Sequence, residues 1–183
     1  MKRRFFLLAI SQVLITVTNA QSYLTKNGKI SFFSKTSVEN IDAVNNQVVS
    51  LFNAGKGDIA FSVIIKGFLF KRALMQEHFN DDYMESDKYP KATFKGAIAD
   101  ITKMDLTKDG ISPVKVNGDL TIHGVTKKIS ANGSITIKAG KVSASSEFII
   151  LLADYNISVP KIVQNNISPS IKINVDCNYE PKN

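Results

Sequence analysis

Apolar and polar residues alternate along several long segments of the chain, and this pattern restricts the folds that the chain can adopt. Across residues 114–123, every second residue is apolar or glycine, and the residues between them are polar or charged. Residues 128–137 and 170–179 repeat the pattern. Because successive side chains of a β-strand point to opposite faces, such segments form antiparallel sheets with one buried face. The chain is therefore expected to be all-β.

Turn residues separate the alternating segments. Residues 54–57, Ala-Gly-Lys-Gly, lie between two strand-like segments and have the composition of a hairpin loop. Residues 108–110 and 139–140 mark further turns. The first strand is predicted over residues 28–34, whereas residues 38–46 show no regular alternation. About eight antiparallel strands with one apolar face predict either a barrel or a sandwich.

A helical segment between residues 72 and 89 interrupts the strand pattern. It begins with good helix formers, and Leu74 and Phe79 are expected to share its apolar face. The pair Asp81-Asp82 suits the cap of a second short turn. Pro90 then ends the segment, because the residue before a proline avoids helical backbone. We expect a short helical insertion that closes one end of a barrel or shelters a cavity.

Small residues occupy many inward positions of the predicted strands. They can leave room inside a barrel, but they also occur where strands pack closely or bend strongly, so alternation alone does not decide between a cavity and a filled core. The positions are Ala92, Gly96, Gly118, Ala131, Gly133, Ala144 and Ser146.

The N-terminus has the features of a secretory signal. Three basic residues at positions 2–4 precede a mostly apolar run over residues 5–17, and Ala20 ends a segment that fits a cleavage site. The alternative is a transmembrane anchor, but the run is short for a membrane span and polar residues interrupt it. We expect a signal peptide at residues 1–20 and one domain over residues 21–183, in a periplasmic or secreted protein.

The charge of the predicted mature chain is modest. Loss of residues 1–20 leaves 20 Lys and Arg against 16 Asp and Glu, so the net charge falls from +7 to +4. The positive residues are scattered lysines, with Arg72 as the remaining arginine, and this is not the pattern of a nucleic-acid-binding protein. Most such lysines are solvated, and a weaker interpretation is transient contact with an anionic membrane surface.

Residues that carry catalysis or bind metals are few in this sequence. Two histidines, His78 and His123, and one cysteine, Cys177, do not supply a metal cluster at normal spacing. Cys177 falls on the apolar face of a strand, where a thiol is inert. The nucleophile-elbow, Walker and dinucleotide-binding motifs are absent from the sequence. We therefore expect no enzymatic activity, no metal and no cofactor, with a cryptic enzyme that uses the His78 region as an alternative.

Two segments of the chain resemble motifs of the YceI-like family. The first leads from His78-Phe79 through Tyr83-Met84 to residues 88–94, Lys-Tyr-Pro-Lys-Ala-Thr-Phe. The second covers residues 118–127, Gly-Asp-Leu-Thr-Ile-His-Gly-Val-Thr-Lys. The two motifs are similar to those of the family in order and separation, and the strand pattern extends the resemblance over nearly all of the mature chain.

The resemblance implies an extended, lipocalin-like antiparallel β-barrel whose characterised relatives bind polyisoprenoid lipids in an apolar channel. The helical segment offers adaptable methionines and large aromatic rings, so it is expected to cover one mouth of the channel and to contact the lipid. A plug that only closes the core is the alternative. The predicted ligand-binding residues are Leu74, Met75, Phe79, Tyr83, Met84, Phe94, Gly118, Leu120, Ala131 and Phe148.

The leading hypothesis is an exported binding protein that holds a long-chain apolar lipid, a polyisoprenoid or an isoprenoid quinone-like molecule, in the barrel channel. Removal of apolar surface from water would supply the affinity. The alternative is a non-catalytic structural or stress-related envelope protein with a filled core.

The signal-like N-terminus generates a first prediction. Cleavage after Ala20 should give an exported protein whose N-terminal sequence, read by Edman degradation or mass spectrometry, begins at Gln21. A mature product that retains the basic residues at positions 2–4 would contradict the prediction.

Overall fold

The computed structural model describes residues 22–101, 105 and 108–182, so the predicted signal peptide lies outside the described residues. Long antiparallel strands make up most of the described chain. The strands are β1 (Ser22–Lys35), β2 (Asn40–Asn53), β3 (Asp58–Ile64), β4 (Leu69–Phe70), β5 (Lys91–Ile98), β6 (Gly110–Ile122), β7 (Val125–Lys138), β8 (Lys141–Leu151) and β9 (Ser170–Pro181). One α-helix, α1 (Ala73–His78), continues into a π-helical turn, Phe79–Tyr83.

The sheet closes on itself to form an eight-stranded antiparallel barrel. The strand order is β1-β9-β8-β7-β6-β5-β3-β2, and β2 pairs again with β1. The two-residue strand β4 pairs with Ala43 and Val44 of β2, whereas β3 pairs with residues 49–52 of the same strand. The prediction of an all-β barrel with a helical insertion is therefore confirmed, and the sandwich alternative is excluded.

Two strands are longer than the alternation indicates, because polar residues are buried at irregular positions. Strand β1 begins at Ser22 instead of residue 28, and register shifts flank Gly28. Strand β2 includes the irregular residues, where Asn45 is completely buried. Its side-chain amide donates to the carbonyl of Ile64 at 2.8 Å and its oxygen accepts from the backbone of Gln47 at 2.8 Å, which compensates for the lost alternation.

The helical segment is continuous, so the prediction of a second turn capped by Asp81-Asp82 is wrong. Both residues lie inside the π-helical turn, which ends when the backbone N–H of Met84 donates to Phe79 O at 2.9 Å. Met84 and its neighbours Phe79 and Tyr83 pack against the apolar cluster at this end of the barrel. Packing of these side chains, and not a cap, therefore sets where the helical segment ends.

Strands β7 and β8 pair along only part of their length. Pairing extends from the turn to Gly133 and Ser146, after which the strands separate. The segment that follows β8 contains a 3₁₀-helix, Leu152–Tyr155, and its Tyr155 packs in one cluster with β7 and β8 side chains. His123 also holds this segment in place, because its Nδ1 lies 3.2 Å from the Tyr155 carbonyl oxygen.

The two YceI-like motifs meet at the end of the barrel that carries the helical segment. The Tyr89 ring lies 4.5 Å from the His123 ring, edge to face. The next residue, Gly124, has a φ of +73°, and a Cβ there would lie 2.6 Å from the Tyr89 ring. A tight turn without a side chain thus lets Tyr89 pack directly on the β6–β7 connection.

Gly96 and Gly118 form a directly opposed pair on β5 and β6, and the Phe94 ring covers them. A Cβ at Gly118 would lie 2.6 Å from both the Phe94 ring and Gly96 Cα, and would also meet the Lys95 carbonyl oxygen. The Phe94 ring therefore fills the space beside the two glycines, and they do not border the cavity.

This glycine pair generates a prediction for stability. Gly118→Ala should lower the free energy of unfolding by about 1–3 kcal/mol, because the methyl group meets backbone atoms that cannot move aside. Gly110→Ala, on the same strand, is the control, since a Cβ there meets nothing within 4 Å. Urea unfolding of both variants measures the difference, and equal stabilities would contradict the steric argument.

Candidate functional site

The barrel encloses a cavity of about 360 Å³. Each of the eight barrel strands contributes residues to its wall, which is almost entirely aliphatic and aromatic. The volume lies within the range of small-molecule sites in proteins, which are mostly apolar and contain a few placed polar groups. Along β6, the lining positions from Val114 to Ile122 indicate an apolar sleeve of roughly 20 Å, allowing for strand tilt.

A packed aromatic layer closes the cavity at the end near the N- and C-termini of the barrel. The Phe52 ring lies 6.0 Å from both the Tyr23 ring and the Tyr179 ring, and none of the three lines the cavity. The Tyr179 hydroxyl is satisfied by Ser50 Oγ at 2.7 Å. The cavity is therefore blind at this end, which we call the floor.

The opposite end carries the helical segment. Met75, Phe79, Tyr83 and Met84 all line the cavity from this side. Phe79 also belongs to a cluster of four phenylalanines whose ring centres lie 5.0–5.7 Å apart in five contacts, at distances that favour tilted and offset rings. The other members are Phe32, Phe68 and Phe70. This cluster fixes the helical segment to β1 and β4.

Polar residues that line the cavity near the helical segment define its mouth, which comprises Ser34, Glu39, His78 and Asn166. Glu39 is central, because its carboxylate accepts hydrogen bonds from Arg72 and, at 3.2 Å, from Asn166 Nδ2. These contacts join the β1–β2 turn, the start of α1 and the segment before β9. The Ser34 hydroxyl accepts from the Ser168 backbone N–H at 2.9 Å.

Glu39 is ionised at neutral pH. The hydrogen bond from Asn166, followed by the hydrogen bond and the positive charge of Arg72, holds the pKa of this carboxyl below its ordinary value. The Glu39 side chain is 24% exposed, whereas that of Arg72 is 62% exposed and does not line the cavity. The negative member of the pair therefore faces the cavity and the positive member faces solvent.

The structure brings eight of the ten predicted ligand-binding residues to the cavity wall. The remaining two, Leu74 and Gly118, do not line it. Leu74 is 61% exposed, because residues five apart on a helix differ by about 140° in direction, so Leu74 does not share the face of Phe79. Gly118 lies beneath the Phe94 ring. The eight lining residues are Met75, Phe79, Tyr83, Met84, Phe94, Leu120, Ala131 and Phe148.

The small inward residues serve two different purposes. Ala131, Ala144 and Ser146 line the cavity on the β7–β8 wall, so small side chains there leave space. Gly133 also lines it, but a Cβ there would lie 2.6 Å from the Ser145 carbonyl oxygen, so this glycine allows close packing. The glycine pair beneath Phe94 represents close packing as well. Both interpretations of the sequence pattern therefore hold, at different positions.

Several cavity residues are not found by the sequence argument. Phe32, Phe68 and Phe70 are apolar strand or turn residues whose convergence depends on the closure of the barrel. Glu39 and Asn166 are 127 positions apart in sequence, and nothing local marks them as partners. The alternation of phenylalanines at positions 68 and 70 is the one feature of the sequence that could have indicated these cavity residues.

Groups suited to catalysis or metal binding are sparse in the part of the chain that the structure describes. No cluster of three or more His, Cys, Asp or Glu side chains is placed there to hold a metal ion. Burial raises the pKa of the Cys177 thiol to about 12, so its thiolate is negligible at neutral pH. Within residues 22–101, 105 and 108–182, the helices are too short or too polar to cross a membrane.

A closed antiparallel barrel that holds a blind apolar cavity is the architecture of the lipocalin-like class of β-barrels. The chain belongs to the YceI-like domain family, whose model matches residues 9–179. No curated protein matches the chain.

Solved structures share the fold at low sequence identity. A polyisoprenoid-binding domain from Saccharophagus degradans, implicated in plant cell wall breakdown, is similar with a TM-score of 0.77 and 16% identity, over 89% of this chain and 99% of that chain. Burkholderia cenocepacia BcnA gives a TM-score of 0.69 and 16% identity, over 84% and 96% of the two chains. A Campylobacter jejuni YceI protein gives 0.54 and 18%, over 100% and 99%.

Proposed function

We propose that this protein is a non-catalytic, exported binding protein that holds a long-chain apolar lipid, a polyisoprenoid or an isoprenoid quinone-like molecule, in its barrel. The observation that carries the proposal is the blind cavity of about 360 Å³ with an almost wholly apolar wall. Each 100 Å² of lipid surface removed from water would contribute about 2.5 kcal/mol. A sleeve closed at the floor suits a chain that enters through the mouth with its tail first.

The comparisons support this proposal at the level of the family. The similar domain from Saccharophagus degradans is described as polyisoprenoid-binding. The alternative of a structural or stress-related envelope protein with a filled core is less favoured, because protein interiors rarely leave voids much larger than a water molecule. The cryptic-enzyme alternative has support only from His78, which lies at the mouth.

Exposed apolar residues surround the mouth and suit a transient contact with a lipid bilayer. Val38, Leu74 and Ile162 are 63%, 61% and 92% exposed, and they lie on the three segments that Glu39 joins. Insertion of these side chains at the headgroup boundary would place the mouth next to the lipid source. Export across a membrane, expected from the N-terminus, would bring the protein to such a surface.

Native mass spectrometry of the protein purified without detergent tests the proposal directly. The spectrum should show an added mass that tandem mass spectrometry identifies as an apolar lipid. Ala131→Phe should strongly reduce that occupancy, because Ala131 lines the cavity and the ring would fill part of it. Ser130→Phe is the control, since the same ring is added at the neighbouring exposed position.

Stability must be measured in parallel, because overpacking costs about 1–3 kcal/mol even without a ligand. Thermal unfolding of both variants provides this correction. Equal lipid occupancy in Ala131→Phe and Ser130→Phe would show that the lipid does not occupy the barrel.

The helical segment generates a separate prediction. Met75→Gln should lower lipid occupancy with little change in thermal midpoint, because an amide in the apolar wall loses its water when a lipid covers it. Ala73→Gln, two residues earlier on α1, should have no effect, since Ala73 is exposed and does not line the cavity. Unchanged occupancy with a lowered midpoint for Met75→Gln would assign the segment to structure alone.

A further inference from the structure

The cavity wall carries very little charge, and the charge that it carries is negative. Among the described residues that line the cavity, none is lysine or arginine. The acidic and basic residues of the wall are Glu39 and His78, both at the mouth. A head group held at the mouth would therefore be placed beside the Glu39 carboxylate.

Three cations lie close in sequence to the mouth, and none of them lines the cavity. Lys35, next to Ser34, is exposed, whereas Arg72 and Lys71 are paired with acids. Arg72 bonds Glu39 from the solvent side. Lys71 pairs with Asp42 at 2.9 Å, and its side chain is 80% exposed. A phosphate at the mouth would have to compete with these carboxylates for Arg72 and Lys71, and it would meet the Glu39 charge at close range.

Charge at the mouth separates two classes of apolar lipid. A phosphate monoester carries a charge of about −1.5 to −2 at pH 7. Bringing it to the mouth removes water from the anion, while the cavity wall supplies no lysine or arginine in return and Glu39 adds repulsion. A free alcohol has no charge to desolvate, and its hydroxyl can donate a charge-assisted hydrogen bond to the carboxylate.

We propose that the mouth selects lipids with an uncharged, hydrogen-donating head group, such as a long-chain isoprenoid alcohol, and excludes their phosphate esters. This inference rests on the proposed function, because it specifies the class of lipid that the same cavity accepts. Selection depends on the orientation of one ion pair, in which Glu39 faces the cavity and Arg72 faces solvent.

The test compares geranylgeraniol with geranylgeranyl monophosphate, added to delipidated protein in nonionic detergent below its critical micelle concentration. Binding is measured by native mass spectrometry and by isothermal titration calorimetry. The unmodified protein should bind the alcohol at least about tenfold more tightly than the phosphate, because the phosphate loses water beside a carboxylate and the cavity wall supplies no lysine or arginine to replace it.

Glu39→Gln removes the negative charge and releases Arg72, so the affinity for the phosphate should rise about tenfold or more. The affinity for the alcohol should fall only modestly, because its hydroxyl then donates to a neutral amide oxygen in place of a carboxylate. Asp42→Asn is the matched control. It makes the same change of charge and releases Lys71, but Asp42 does not line the cavity. Its affinity for the phosphate should stay within about twofold of the unmodified protein, because the released charge is exposed and screened by salt.

Arg72→Gln tests the direction of the effect. It leaves the Glu39 charge without its cation, so binding of the phosphate should weaken further while binding of the alcohol is retained. Circular dichroism and thermal midpoints confirm that each variant remains folded, and affinities are compared only between folded proteins.

Each outcome has a separate meaning. If the alcohol and the phosphate bind the unmodified protein equally, or if Asp42→Asn raises phosphate binding as much as Glu39→Gln, the selection by charge is overturned while the lipid-binding function stands. If neither lipid binds and no lipid co-purifies, the proposed function itself fails, and the selectivity with it.

Discussion

The pairing of β1 with two neighbours is the interaction on which the rest of the structure depends. Strand β1 forms ladders with β2 along nearly its whole length and with β9 on its other side, which closes the sheet. Without that closure, the apolar face of every strand would need a second layer to cover it. With closure, the face is buried against itself, and an eight-stranded barrel is just wide enough to be filled by side chains or to hold one small ligand.

The size of the inward side chains decides whether the barrel is filled by protein or leaves room for a ligand. This size changes along the barrel axis. Large aromatic residues such as Phe52 and Tyr179 meet across the floor and leave no space. Small residues such as Ala131 and Ala144 occupy the β7–β8 wall, where the cavity lies. The packed floor can therefore supply stability while the upper barrel remains hollow, so one domain combines a rigid base with a site whose apolar surface is not satisfied by the protein itself.

Sequence alone predicts the parts of this fold that obey a local period, and it fails where long-range contacts override that period. Strands β6 to β9 alternate cleanly and are found. The early part of β2 is missed because Asn45 is buried through hydrogen bonds to residues that only the folded sheet brings near. Leu74 is assigned to the wrong face of α1 because the orientation of a short helix depends on what it packs against. The Glu39–Asn166 contact has no local signal, since barrel closure alone brings the two residues together.

The polar contacts at the mouth are weaker than the interactions that hold the barrel, and this difference bears on how a lipid could enter. Partly exposed ion pairs such as that of Arg72 and Glu39 contribute about 0–1 kcal/mol, because water competes for both groups. The strands beneath are held by continuous ladders of backbone hydrogen bonds and by the buried floor. Parting the β1–β2 turn from α1 and from the Asn166 segment therefore costs far less than opening the sheet. A blind cavity can then exchange its occupant through local motion at one end, while the closed sheet that defines the cavity stays intact.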